Sequence, residues 1–185
     1  MANNAAGTVT VTKARKLEIP AIFALYRAAF PRSERKPFSV IRRMARAGRA
    51  DLWTIRYNGR FAGLAATVNG QENILLDYFA VRGSLRGRGV GSAALKRLME
   101  HYSDRGFFVE IESTFEPSEN PEERQKRKEF YVNCGMAPMG TEADVFGVRM
   151  ELLGVRCHLD FGGYRNFYRD DYSPWAADHI REVQP

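Results

Sequence analysis

Between Val81 and Met99 the sequence reads VRGSLRGRGVGSAALKRLM, with Gly83, Gly87, Gly89 and Gly91 interleaved with Arg82, Arg86 and Arg88. Glycine loses more conformational freedom on folding than any other residue, so a cluster of this kind suits a backbone that approaches something closely. From Gly89 onward, Val90, Ala94, Leu95, Leu98 and Met99 fall at helical spacing. Ahead of the turn, ILLDYFAV (Ile74 to Val81) is a mostly apolar run of strand formers. The order is strand, glycine-rich turn, helix N-terminus. Such a terminus leaves amides unpaired and carries about half a positive charge, and the arginines add whole charges beside it. These residues predict a phosphate cradle. A basic surface turn is the alternative, and it explains a single glycine and arginine better than it explains the cluster.

A second group could move protons. In FFVEIE (Phe107 to Glu112), strand alternation puts Glu110 and Glu112 on one face. Two carboxylates on one face of a central strand are costly unless paired or used. Asp77, on the preceding strand, can add a third. One of them, Glu112 first, could remove a proton from a substrate or order a water that does. An ion pair from Glu112 to Arg124 or Arg127 is the competing reading, and the residues alone do not separate the two.

The elements that must position these groups can be read coarsely. Thr8 to Ala14 alternates as a strand. Glu18 to Phe30 has helical spacing, with Pro20 tolerated in a first turn. PRSERKPF (Pro31 to Phe38) breaks that helix, and Ser39 caps a second one that stops at Gly48. Leu52 to Tyr57 and Phe61 to Val68 form a hairpin across Asn58-Gly59. After the cradle helix come the Phe107 to Glu112 strand and a helix over Pro121 to Asn133, with Gly135 as its C-terminal glycine. Two strands close the pattern, around Gly140 to Phe146 and Val148 to Leu153. Asp160 to Trp175 fits no element, and its aromatics are expected to cover the core. The fold class is α/β, with a mixed, mostly antiparallel central sheet flanked by helices.

The chain has 185 residues, 44% of them hydrophobic and 27% charged, as one globular domain would. A flexible start over 1–7, one domain over 8–175 and a tail over 176–185 are expected. A net charge of +6 favours anionic partners, with no nucleic-acid motif to match it. No apolar run reaches membrane-spanning length and MANNAAGTVTVTK lacks a secretory pattern, so a cytoplasmic location and no membrane partner are expected. The two cysteines, Cys134 and Cys157, suggest no disulfide framework, and His101, His158 and His179 show no metal spacing. No metal is expected.

Three phosphate motifs compete for the turn. A Walker loop needs a Gly-Lys pair, which the chain lacks. The dinucleotide pattern is matched by Gly89, Gly91 and Ala94, with Glu110 at a suitable distance, but Arg82 to Arg88 separate it from the strand it should follow directly. The third is R-x-x-G-x-G, given by Arg86, Gly89 and Gly91. LLDYFAVRGSLRGRGVGSAAL resembles the acyl-CoA signature of the GNAT superfamily of N-acetyltransferases. RKEFYVNCGM is similar to that family's helix ending in Phe-Tyr, three residues, Gly and an apolar residue. The element order from 8 to 153 matches the family fold.

The resemblance implies that the amides of Arg86, Gly87, Arg88, Gly89, Val90, Gly91 and Ser92 bind the pyrophosphate of acetyl-CoA. It implies that Phe79, Ala80 and Val81 lie where the strand splays to pair with the pantetheine arm. Lys96 and Arg97 could reach the 3′-phosphate, although a solvated helix face explains them as well. It implies that Tyr131 protonates or hydrogen-bonds the departing sulfur, with a packed helix aromatic like Phe130 as the alternative, and that transfer is direct, leaving Cys134 a structural thiol. Where many members carry a CoA-contacting asparagine, two turns before this tyrosine, the chain has Arg124. The loop from Pro31 to Phe38 would line the acceptor site, with Glu34, Asp77 and Glu110 as acceptor-binding residues. The implied partners are acetyl-CoA and an amine acceptor, and a homodimer is compatible with the sequence. A non-catalytic acyl-CoA sensor and a basic nucleic-acid module are the alternatives.

Overall fold

The computed structural model describes residues 7–183. The flexible start expected over 1–7 thus falls, Gly7 apart, outside the described residues. The chain falls into two compact units. One takes in the chain up to Ala66 together with Tyr78–His101; the other takes in Thr67–Asp77 and the chain from Tyr102 onward. Strands β3 (Arg60–Asn69) and β4 (Asn73–Val81) contribute to both.

The first unit holds β1 (Val9–Lys13), α1 (Ile19–Ala29), α2 (Phe38–Arg46), β2 (Ala50–Tyr57), α3 (Val90–His101) and the adjoining parts of β3 and β4. Its strands run in the order β1-β2-β3-β4, with β1 antiparallel to β2 from Val9↔Tyr57 to Lys13↔Trp53. The turn between β2 and β3 has Asn58 at φ 50° and Gly59 at φ 75°, the left-handed pair that matches the strand twist of a tight hairpin. Helix α2 differs from expectation. It begins at Phe38, Pro37 occupies the capping position, and no side chain caps it. The cause is aromatic packing: Phe38 sits 5.1 Å from Phe23 and 5.5 Å from Tyr26, which draws it into the first turn.

Strand alternation divides this unit's apolar residues into two clusters. Leu52, Leu64, Ala66, Tyr78 and Ala80 pack with Ile22, Tyr26 and Ile41 of α1 and α2. Ile55 and Ala62 pack with Val90 and Ala94 of α3, with Phe79, Val81 and Leu85 beside them. The glycine-rich turn is therefore fixed at both ends by buried side chains.

The second unit holds β5 (Gly106–Glu112), α4 (Pro121–Asn133), β6 (Ala137–Val145), β7 (Val148–Val155), α5 (Phe161–Phe167), a π-helical turn (Tyr168–Tyr172), α6 (Pro174–Ala177) and β8 (Ile180–Glu182). Its strand order is β4-β5-β7-β6-β8. Strands β4 and β5 are parallel, paired from Asn73↔Gly106 to Leu75↔Phe108, and the ladder ends there, well before either strand does. Strand β5 is antiparallel to β7 from Phe107↔Val155 to Glu112↔Met150. The β6–β7 register shifts between Pro138 and Glu142, around Gly140 at φ 77°. That irregularity explains why alternation is legible only from Gly140, although β6 begins at Ala137.

Two sequence expectations change here. The aromatic segment 160–175 is helical, capped by Asp160, whose carboxylate accepts the Gly163 amide at 2.7 Å. Within the expected tail over 176–185, Ile180–Glu182 form β8, which pairs with β6 from Ala143↔Glu182 to Val145↔Ile180. Three residues with one buried side chain carry too little pattern to announce a strand.

Gly63 on β3 shows how tightly the cradle strand is held. A Cβ there would collide with the Ala80 carbonyl oxygen and come within 3.2 Å of the Val81 Cα. Replacing Gly63 by Ala should cost about 1–3 kcal/mol, as overpacking against rigid backbone does. Urea unfolding measures it, and an unchanged midpoint would mean that β4 yields freely.

Candidate active site

In the first unit β4 ends at Val81, where the Arg82 amide bonds the Ala62 carbonyl at 2.8 Å. A 3₁₀ turn over Gly83–Leu85 follows, closed by Leu85 N–H to Arg82 O at 2.9 Å. The chain then turns left-handed twice, with Gly87 at φ 72° and Gly89 at φ 74°, and enters α3. Both positions favour glycine, and a Cβ at either would point into open space. Among the described residues, no acceptor bonds the amides of Gly87, Arg88, Gly89, Val90, Gly91 or Ser92. The first partnered amide of α3 is that of Ala93, which donates to the Gly89 carbonyl at 3.0 Å. Arg82, Arg86 and Arg88 are exposed, as are Lys96 and Arg97.

A row of unpartnered donors, open space at the left-handed glycines and flanking guanidinium groups fit a diphosphate. The row also needs that fit more than a lone helix terminus would, since the amides before α3 are unpartnered too. Phe79 and Val81 are half-buried on one face of β4, while Ala80 is buried on the other.

The same unit pins the loop from Pro31 to Phe38. The Tyr78 hydroxyl donates to the Glu34 carbonyl at 2.9 Å and accepts the Lys36 amide at 3.0 Å. The Tyr26 hydroxyl donates to the Lys36 carbonyl at 2.9 Å, and the two rings meet edge to face at 4.9 Å. Glu34 thus sits, exposed, on a loop whose backbone is anchored by buried phenols. Sequence reasoning missed this anchoring, because Tyr26 and Tyr78 read only as core residues of a helix and a strand.

The second unit brings Asp77, Glu110, Glu112 and Tyr131 into one body. Asp77 and Glu110 share a face two residues beyond the last paired residues, Leu75 and Phe108. Glu110 Oε1 accepts hydrogen bonds from the hydroxyls of both Tyr164 and Tyr168, each at 2.7 Å. Burial, then the negative charge of Glu110, pushes both phenols well above their usual range. This contact is invisible in the sequence except as tyrosines four residues apart in a segment without an assigned element.

Glu112 is held from both sides. Arg124 Nη2 donates to Oε1 at 3.0 Å and Arg127 Nη1 to Oε2 at 2.8 Å. The ion pairing weighed against catalysis is therefore present, with both arginines rather than one. Arg124 is further committed to the Ser113 carbonyl at 3.1 Å and the Asn120 side chain at 3.2 Å.

Tyr131 lies near the end of α4, which closes on Gly135 at φ 100°. The Gly135 amide bonds the Val132 carbonyl at 2.9 Å and the Met136 amide bonds the Tyr131 carbonyl at 3.2 Å, a double closure that fixes this last turn. The ring meets Phe130 at 5.1 Å. Burial pushes the Tyr131 phenol up to about 12, against a downward pull from Arg127, so it is fully protonated at neutral pH. Cys134 is buried and free, and Cys157 is free. Among the described residues no group of three or more His, Cys, Asp or Glu could hold a metal ion.

Comparison with known proteins bears on this geometry. A sequence model described as the acetyltransferase (GNAT) family matches residues 19–135. No curated protein matches the chain. Among solved structures, a GNAT-family protein from Bacteroides thetaiotaomicron is similar at TM-score 0.73 and 19% identity, covering 88% of this chain and 98% of that one. Arabidopsis thaliana Naa50, solved with a bisubstrate analogue, CoA-Ac-MVNAL, is similar at TM-score 0.62 and 14% identity, covering 80% and 99%. The spermidine N-acetyltransferase SpeG from Vibrio cholerae is similar at TM-score 0.60 and 11% identity, covering 80% and 92%. At these identities the three structures establish a shared fold.

The raised Tyr131 phenol has a consequence for stability. Its folded pKa, about 12, lies above the ordinary value of 10.0, so its contribution is complete below pH 10 and drains away as pH rises towards 12. Tyr164 and Tyr168 act in the same direction. Urea midpoints measured across this window should fall with pH, and fall less steeply in Tyr131→Phe. Parallel curves for the two proteins would contradict the assignment.

Proposed function

The chain belongs to the GNAT acetyltransferase family, and from that premise we propose that it transfers the acetyl group of acetyl-CoA directly to an amine of a small molecule, protein or peptide. The observation that carries the reading is the row of unpartnered amides from Gly87 to Ser92. Those amides, with Arg86 and Arg88, bind the diphosphate of the donor. The backbone of Phe79, Ala80 and Val81 pairs with the pantetheine arm as an added strand would.

The acceptor binds through Glu34, Asp77 and Glu110. Glu110, supported by two phenol donors, receives the acceptor's ammonium. The amine must lose a proton before its nitrogen can attack the thioester carbonyl. Glu112 takes the narrower of its two candidate roles: with a guanidinium on each oxygen it orders a water that accepts this proton. As the new C–N bond forms and the C–S bond breaks, the electron pair leaves on sulfur. The Tyr131 phenol, protonated far beyond neutral pH, supplies the proton that quenches it. The free thiols of Cys134 and Cys157 support a reducing, cytoplasmic setting.

Two substitutions test the donor site and the acid separately. Gly89→Ala puts a methyl group into open space at φ 74°, so the fold pays only the left-handed strain of about 1–2 kcal/mol. Its affinity for acetyl-CoA by calorimetry should nevertheless drop about tenfold or more, since a charge-assisted contact is lost. Tyr131→Phe should lower kcat about a hundredfold with the acetyl-CoA KM unchanged, read by thiol release on a panel of amines. Wild-type affinity in Gly89→Ala, or an unchanged kcat in Tyr131→Phe, contradicts the respective role.

A further inference from the structure

Tyr164 and Tyr168 stand one helical turn apart, at the end of α5 and the start of the π-helical turn. Their side chains are 0% and 3% exposed, and both hydroxyls end on the same oxygen of the half-buried Glu110. We propose that Tyr164 and Tyr168 are positioning residues for the acetyl transfer, holding the Glu110 carboxylate in one orientation and in its charged form for the acceptor amine. On this account the segment Phe161–Tyr172 belongs to the acceptor machinery as well as to the core. The inference rests on the acceptor-binding role of Glu110 given above.

The local geometry is specialised for this contact. The rings of Tyr164 and Tyr168 meet edge to face at 5.2 Å, and Phe108 braces Tyr164 edge to face at 6.4 Å. Phe167 packs on Phe108 at 5.0 Å, so two rings of the helix close on the one β5 residue that precedes Glu110 on its face. The helix then widens: the Ser173 amide bonds the Tyr168 carbonyl, five residues back, at 2.6 Å. π-Turns are rare and occur often at functional sites. This one keeps Tyr172 stacked on Tyr168 at 4.7 Å, which fixes the second phenol.

Electrostatics give the pair its task. Asp77 from β4 is close enough to raise both phenols further, so two carboxylates share this region. A neutral acid cannot receive an ammonium ion, and two phenol donors on one oxygen favour the charged form of Glu110. The other charged groups around the same face are Glu112 on β5 and its partners Arg124 and Arg127 on α4. From β7, Glu110 faces Leu152, which brings no charge.

A buried phenol needs an acceptor in any case, so the test must read something that simple packing would leave still. With n-butylamine and acetyl-CoA as substrates, kcat/KM is measured against pH for wild type, Tyr164→Phe, Tyr168→Phe and the double variant. Removing a donor raises the pH at which Glu110 becomes charged. Each variant should shift the acid limb upward by about one pH unit, and the amine KM should rise about tenfold with the acetyl-CoA KM unchanged.

In a Glu110→Gln background the same Tyr→Phe changes should alter the amine KM no further. An acid limb that stays in place, or equal losses with and without Glu110, overturns the inference. The Glu110 carboxyl carbon, followed by NMR through an acid titration, reads the same shift without turnover, and an unmoved midpoint in the double variant likewise overturns it. Calorimetry with acetyl-CoA runs beside these assays. Heat with acetyl-CoA but unmoved pH limbs defeats the positioning role alone, whereas no heat defeats the acetyltransferase reading and this inference with it.

Discussion

A backbone N–H must bond to something, and the start of α3 leaves a run of them with only solvent. The run is longer than a helix terminus requires: the Arg86 amide, expected among the binding donors, is closed on the Gly83 carbonyl at 3.2 Å, and from there Gly87 and Gly89 turn the chain left-handed. Gly87, Arg88 and Gly89 are exposed and Gly91 and Ser92 half-buried, with Val90 alone buried, so water can satisfy the outer donors until a better acceptor arrives. On the function proposed above, an anion with several oxygens replaces that water at little reorganisation cost. The surrounding packing keeps this arrangement rigid. Val90 and Ala94 anchor the helix, and Phe79, Val81 and Leu85 anchor the strand and turn.

The second unit meets a different constraint, which is how to keep carboxylates charged away from bulk water. It solves it twice with different chemistry. Glu112 is neutralised by two guanidinium groups, which hold α4 to β5 by charge. Glu110 accepts hydrogen bonds from two neutral phenols, which bring no charge of their own. The distinction matters for function. A carboxylate paired with arginines has its charge already cancelled, whereas one held by phenols remains a net anion that can attract a cation. A third case, the nearly buried Glu151, is structural: Lys128 pairs with it at 2.6 Å and Thr114 bonds it through amide and hydroxyl.

What the sequence revealed follows how local each signal is. The strand, glycine-rich turn and helix are contiguous in the chain, so composition and spacing displayed their order. The hairpin at Asn58-Gly59 and the helix end at Gly135 were equally local. Helix α2 begins two residues early, at Phe38 with Pro37 in place of Ser39 at the cap, because the Phe38 contact with Tyr26 and Phe23 is tertiary. The bonds from Tyr164 and Tyr168 to Glu110 span more than fifty residues, and no periodicity within either segment points to the other. Strand β8 was hidden for a related reason, since it is short and is defined by β6 rather than by its own pattern. Arg124 was recognised as a departure from the family's asparagine, but its commitment to Glu112, Ser113 and Asn120 depends on the loop after β5.

The central claim concerns particular amide protons, and they can be watched directly. In a ¹H–¹⁵N NMR titration with CoA, the amides of Gly87, Arg88, Gly89, Val90, Gly91 and Ser92 should move downfield together and saturate with one affinity, as new hydrogen bonds to phosphate oxygens require. Those amides holding still while CoA binds, or while other surface amides shift, would contradict the account.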